Sequence, residues 1–295
     1  MDQRNIAVSI RRISDISLSD AIERAQALGF SAITFSGNPT SDASSLSFCW
    51  PDLDDASRDQ LRAVRGQFER AVIHAPFVDV PFVSVNPLIE RESLRQVLGA
   101  VEAAGALQLE TVTIHAGIPH YSIPDDEFLN RLVPVLRQLG DAAVENGTKI
   151  GVENWRYPAD PDQHSALLDA VDHPAVGATV DLGHIAYWYK RDGINSLADQ
   201  TAADEYNARL LRLIDRLGER IIHIHAHDIW PDEIQDHRPV GTGIIDFEAV
   251  IERLQRIGFD GLLLLEIKPD GADYESVISS SRDRLLQAMG VLAAA

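Results

Sequence analysis

KIGVENW (149–155) is a short apolar run that ends on a carboxylate, Glu153. The same grammar recurs in IAVSI (6–10), SAITFSG (31–37), RAVIHAPF (70–77), TVTIHAG (111–117), GATVDLGH (177–184), IIHIHAHD (221–228) and GLLLLEI (261–267). Runs of this length that are apolar almost throughout suit parallel strands covered on both faces. Between them lie segments with apolar residues at helical spacing: LSDAIERAQALGF (18–30), ESLRQVLGAVEAAGAL (92–107), DEFLNRLVPVLRQLGDAAVENG (126–147) and DFEAVIERLQRIGF (246–259). Pro134 interrupts the third, where a kink or a late first turn accommodates it. Eight strand–helix units in 295 residues predict an α/β fold, a (β/α)8 TIM barrel spanning 1–295 as one domain. The competing dinucleotide-binding sheet loses support because no G-x-G-x-x-G follows the first strand. The long segments 39–59, 156–163 and 229–243 read as loops. All three follow strands, the side on which barrel active sites are built.

Composition narrows the function classes. There are 26 Lys+Arg against 45 Asp+Glu, a net charge of −19. The charged fraction, 24%, is ordinary, so the excess lies in sign. That sign argues against nucleic acid as a partner, since phosphate neutralisation needs a basic surface. Cys49 is the single cysteine, which excludes an intrachain disulfide and Cys-rich zinc modules, and it reads as incidental. Ten histidines leave His/carboxylate metal chemistry open. The N-terminus lacks the apolar core of a signal peptide, and no apolar run approaches the ~18 residues of a membrane span. The expectation is a cytoplasmic protein with a small-molecule partner and no membrane contact, compatible with a homo-oligomer.

The informative feature is where the ionisable residues fall. His74, His115, Glu153, Asp181 with His184, the His223–His225–His227–Asp228 series, and Glu266 stand at or near the ends of six consecutive strands. His237 sits in the loop after the seventh. A barrel gathers those ends on one rim. A lone histidine near a strand end is more often structural, which is the bland reading of His74. His120, His164 and His173 occupy polar contexts and read as surface residues. Glu153 after KIGV and Glu266 after GLLLL are different, because a carboxylate so placed is costly unless paired or coordinated. Alternation puts His223, His225 and His227 on one strand face. His223 then lies deepest and packed, His225 at the rim as the best ligand, and His227 further out. Asp228 reads as an orienting partner or a loop cap. Carboxylates with imidazole and no thiolate suit one divalent ion: Mn, Co, Mg, Fe or Zn. Two glutamates at such an ion could also remove and return a proton beside a carbonyl, through an enediolate.

In their order and spacing HAPF (74–77), TIHAG (113–117), GVEN (151–154), DLGH (181–184), HIHAHD (223–228), HRPVGTGIIDF (237–247) and LLEI (264–267) resemble the xylose-isomerase-like TIM-barrel superfamily. That superfamily includes sugar phosphate isomerases and epimerases and the endonuclease IV group (AP endonuclease family 2). Resemblance to tagatose-3-epimerase-like members implies Glu153, Asp181, His225 and Glu266 as metal ligands, with the two glutamates as the acid/base pair. It implies His184 as a substrate contact. His237 stands where those epimerases carry Arg, and it is expected to bind substrate hydroxyls, with Trp155 as an apolar wall. Resemblance to endonuclease IV implies extra ligands at His74, His115, His184 and His237, and hence a second or third zinc. The Asp expected two residues before the last histidine is Gln235, with Asp236 one place late. The expected activity is a metal-dependent sugar isomerase or epimerase. A multi-zinc phosphodiesterase, a cyclitol dehydratase and a barrel that only binds sugar or metal are the alternatives.

Overall fold

The computed structural model describes residues 1–10, 17–38, 46–268 and 273–292. Residues 39–45, the first part of the segment read as a loop over 39–59, lie outside them. Eight parallel strands close into a barrel: β1 (Ile6–Ser9), β2 (Ala32–Ser36), β3 (Arg70–His74), β4 (Thr111–His115), β5 (Lys149–Glu153), β6 (Val176–Asp181), β7 (Ile221–Ala226) and β10 (Leu262–Leu265), with β1 paired to β10. The predicted barrel is therefore what the chain forms.

Helices α1 (Leu18–Ala27), α2 (Asp55–Arg65), α3 (Pro87–Leu107), α4 (Asp125–Glu145), α5 (Pro161–Val171), α6 (Ile185–Arg191), α7 (Gln200–Leu217), α8 (Phe247–Arg256) and α9 (Tyr274–Ala288) lie between and after the strands. Several owe their start to an acidic cap. Asp54, Asp160, Asp199 and Asp246 each accept a backbone N–H at the helix N-terminus, where a carboxylate also meets the positive end of the dipole. Part of the acidic excess is thus helix-start chemistry. Among the described residues no helix is long and apolar enough to cross a membrane.

Three segments depart from the loop reading. α2 begins inside 39–59, and α5 begins inside 156–163, because Asp54 and Asp160 cap them. The segment 229–243 contains an antiparallel pair, β8 (Asp228–Trp230) with β9 (Gln235–Arg238), across which the Arg238 guanidinium covers the Trp230 ring at 4.7 Å. Pro134 lies in the middle of α4 rather than in a first turn.

The barrel interior is small below and polar above. Ala7, Ala32, Val72, Leu262 and Leu264 fill one layer. The Thr113 and Thr179 hydroxyls meet at 3.1 Å, and Gly151 faces them because a Cβ there would lie 2.2 Å from Thr179 Oγ1. Register then fixes the rim: His115 pairs with Glu153, and Asp181 with His225.

Candidate metal centre

Glu153, at the end of β5, is the hub. Its Oε2 lies 3.3 Å from His74 Nε2 and 3.1 Å from His115 Nε2. Its Oε1 lies 2.9 Å from His184 Nδ1 and 3.4 Å from His225 Nδ1. His225 Nδ1 also faces Asp181 Oδ2 at 3.6 Å and Glu266 Oε2 at 3.2 Å. His237 Nε2 approaches Glu266 Oε2 at 3.7 Å. All nine residues singled out in the sequence, Trp155 included, therefore gather at one rim. Trp155 stacks on His115 with ring centroids 4.7 Å apart.

Burial makes this arrangement electrostatically demanding. Glu153, Asp181 and His225 are at most 1% exposed. Burial pushes the Glu153 carboxyl up, but the His225 and His115 imidazoles overcome it and hold the group well below the usual carboxylate range. Asp181 follows the same logic, with His184 and His227 outweighing burial. Burial opposes the charged form of His225, yet Glu153 and Glu266 raise its pKa well above the ordinary value. The cluster is thus a set of carboxylates drawing positive charge onto the nearest imidazole.

That demand fits a cation. His225 Nδ1 and Nε2, Glu153 Oε1 and His184 Nδ1 are buried and make no aligned hydrogen bond among the described residues, the 2.9 Å approach of His184 Nδ1 to Glu153 Oε1 included. Buried polar atoms are rarely left so. Three groups bring potential ligand atoms within 4.8 Å of one another: Glu153–Asp181–His225, His74–His115–Glu153 and Asp181–His184–His227–His237. Oxygen and imidazole donors in this mixture suit a divalent ion.

The surroundings hold these groups still. Asn154 donates Nδ2 to the Asp181 carbonyl at 3.0 Å and accepts the Asp181 N–H at 2.8 Å, tying the ends of β5 and β6 together. Asp181 Oδ1 accepts the Gly183 and His184 backbone N–H groups. Asp228 is a loop cap: its carboxylate accepts N–H groups of Ile229, Gly241, Gly243 and Ile245 at 2.8–3.1 Å. The glycines of G-T-G serve that cap, since Gly241 has φ +81° and a Cβ on Gly243 would lie 2.1 Å from the Ile229 carbonyl.

Two sequence expectations are corrected. His164 is fully buried rather than on the surface, because α5 packs its face against the barrel; burial lowers its pKa to about 3. His227, just past the end of β7 at Ala226, is fully buried and bonded to Asp181 rather than further out. His223 is buried in the barrel as expected, and Cys49, with its thiol pushed up to about 11 chiefly by burial, suits an incidental residue. Sequence reading missed Phe77, whose ring meets His74 and His115 at 4.9 and 5.0 Å. It also missed Tyr187, which donates to Asp236 at 3.0 Å. Tyr187 stands one helical turn after His184, a spacing that could have flagged it.

The family described as xylose isomerase-like TIM barrel matches residues 22–290. An uncharacterised protein of Methanocaldococcus jannaschii is 30% identical over 218 residues, covering 70% of this chain and 68% of that protein. The 2-oxo-tetronate isomerase of Haemophilus influenzae is 25% identical over 235 residues, covering 77% and 83%. A solved D-tagatose 3-epimerase-like protein superposes with a TM-score of 0.72 at 26% identity, covering 97% and 98%.

Proposed function

The chain belongs to the xylose isomerase-like TIM-barrel family, and from that footing we propose that it is a divalent-metal-dependent isomerase or epimerase of a sugar or sugar derivative. The observation that carries the reading is the convergence of two glutamates on one imidazole. His225 Nδ1 lies 3.4 Å from Glu153 and 3.2 Å from Glu266. The similarity to sugar isomerases and epimerases supports the substrate class.

Glu153, Asp181, His225 and Glu266 would hold the ion. A divalent cation held there would supply positive charge to adjacent hydroxyl and carbonyl oxygens and so lower the cost of an enediolate. Glu153 and Glu266 move the proton. One, ionised, takes it from a hydroxyl-bearing carbon beside the carbonyl; the other delivers a proton it has taken up from solvent, and the first releases its own to solvent, so both end ionised. Delivery to the same carbon from the opposite face is epimerisation; delivery to the former carbonyl carbon, with the hydroxyl proton of the first carbon passing to the old carbonyl oxygen, is isomerisation. Bound to the ion, both carboxyls would stay ionised, so either can act as the base. His184 and His237 bind substrate hydroxyls, and Trp155 walls one side.

The test is a panel of aldoses and ketoses incubated in D2O with the Mn- or Co-loaded protein and followed by NMR. Deuterium should enter at the carbon beside the carbonyl. Glu153→Gln or Glu266→Gln should each lower turnover by about 10²–10⁴-fold. Full turnover after chelation, or by the double variant, would sink the reading. Loss of water from a cyclitol in the same panel would move the assignment to a dehydratase using the same pair. A second reading, a multi-zinc phosphodiesterase, is favoured by the His74–His115–Glu153 group. Three zinc ions per chain together with cleavage of abasic DNA would replace the isomerase.

A further inference from the structure

His227 touches both halves of the candidate site. Its Nε2 lies 2.9 and 3.1 Å from the two oxygens of Asp181. Its Nδ1 lies 2.8 Å from the backbone nitrogen of His237, which has only a proton to offer, so Nδ1 accepts. The Asp228 carbonyl is further from that atom, at 3.3 Å. The tautomer follows: Nε2 carries the hydrogen and donates it to Asp181. The ring also stacks on His237, with centroids 4.2 Å apart and planes 9° from parallel.

Two other features point to the same residue. His237 has φ +58°, a left-handed conformation that costs a histidine roughly 1 kcal/mol or more and persists only where neighbours enforce it. The hydrogen bond to His227 is such an enforcement. Gly183, in the turn between Asp181 and His184, has no room for a Cβ, which would lie 2.0 Å from His227 Cε1. The turn has been cut away to admit the ring.

We propose that His227 is a positioning residue rather than a metal ligand: it orients Asp181 toward the ion through Nε2–H and fixes His237 over the site through Nδ1. Both nitrogens are already engaged, so neither lone pair is free for an ion. The proposal rests on the metal-dependent reading above only for what Asp181 binds. Partners of this kind on a ligating residue typically govern metal affinity by 10–100-fold.

The two functions can be separated by substitution. Asn carries its oxygen near the place of Nδ1, whereas Gln carries its amide nitrogen near the place of Nε2. His227→Asn should therefore weaken Co(II) binding by about 10–100-fold, read from the cobalt visible spectrum during titration, and leave amide exchange around His237 unchanged. His227→Gln should keep Co(II) affinity within about threefold and its spectrum unchanged, while exchange in a 233–243 peptide rises at least about tenfold, a loss of local protection. If both variants shift both readouts alike, or neither shifts either, His227 has no dual positioning role. Two Co(II) ions per wild-type chain, falling to one in both variants, would make it a ligand and overturn the proposal. No Co(II) uptake by the wild type would fail the metal reading itself, while the exchange arm would still decide the link to His237.

Discussion

Asp228 offers the sharpest test of how the site is assembled. Its carboxylate is fully buried and accepts four backbone N–H groups, two on each oxygen: Ile229 and Ile245 on Oδ1, Gly241 and Gly243 on Oδ2. Three of these donors lie 13 to 17 residues away, so one side chain closes the segment that carries His237. A hydrogen bond to a charged group contributes about 1.5–3 kcal/mol, and a buried donor left unmade costs about 1–3. Gly241 and Gly243 can turn to water when the carboxylate is removed, because both are exposed, but the N–H groups of the buried Ile229 and Ile245 cannot. Asp228→Ala should then lose about 3–5 kcal/mol of unfolding free energy, allowing little for the two glycines. Asp228→Asn keeps one accepting oxygen and turns an NH2 toward the other two donors, so it should lose roughly half as much. The assay is urea unfolding at constant slope, with amide exchange over 237–245 as the local readout. If Asp228→Ala stays within about 1 kcal/mol of the wild type with unchanged exchange, the carboxylate does not hold this segment. The loop would then be organised by its hairpin alone.

Gly183→Ala should cost about 1–3 kcal/mol by overpacking against the His227 ring, and Co(II) titration should show weakened binding because Asp181 shares that turn. At the opposite end of the barrel, Arg70 forks onto Glu110 at 2.8 and 2.6 Å and reaches the Asp260 carbonyl. Arg70→Ala should lower stability by about 1 kcal/mol in the same unfolding assay and leave turnover and metal affinity unchanged, since that face is remote from the rim. His164 supplies a pH test. Its folded pKa, about 3, lies below the ordinary value of 6.5, so the unfolded chain takes up a proton first as pH falls. Its share of stability is present above pH 6.5 and is lost toward pH 3, with a slope of up to about 1.4 kcal/mol per pH unit. His164→Met should flatten that slope in unfolding curves between pH 4 and 6.5; an unchanged slope would remove His164 from the account.

The barrel was legible because eight apolar strands buried on both faces leave a one-dimensional trace, independent of how they are arranged. Strand-end carboxylates such as Glu153 and Glu266 stood out for the same reason: a charge closing an apolar run is costly anywhere but at a site. Alternation along HIHAHD placed His223 inside and His225 at the rim correctly. It set His227 further out, whereas that ring is fully buried against Asp181 just past the end of β7. His164 was misread because its neighbours in sequence are polar while its neighbours in space are the barrel wall. What the sequence determined by itself was the set of strands and the kinds of donor at their ends. What only the tertiary structure decided was their partners: that His74 and His115 share one oxygen of Glu153, and that His227 joins Asp181 to a strained His237. Those contacts link residues on different strands and loops, so they arise from barrel closure and register and leave no spacing that the chain alone could display.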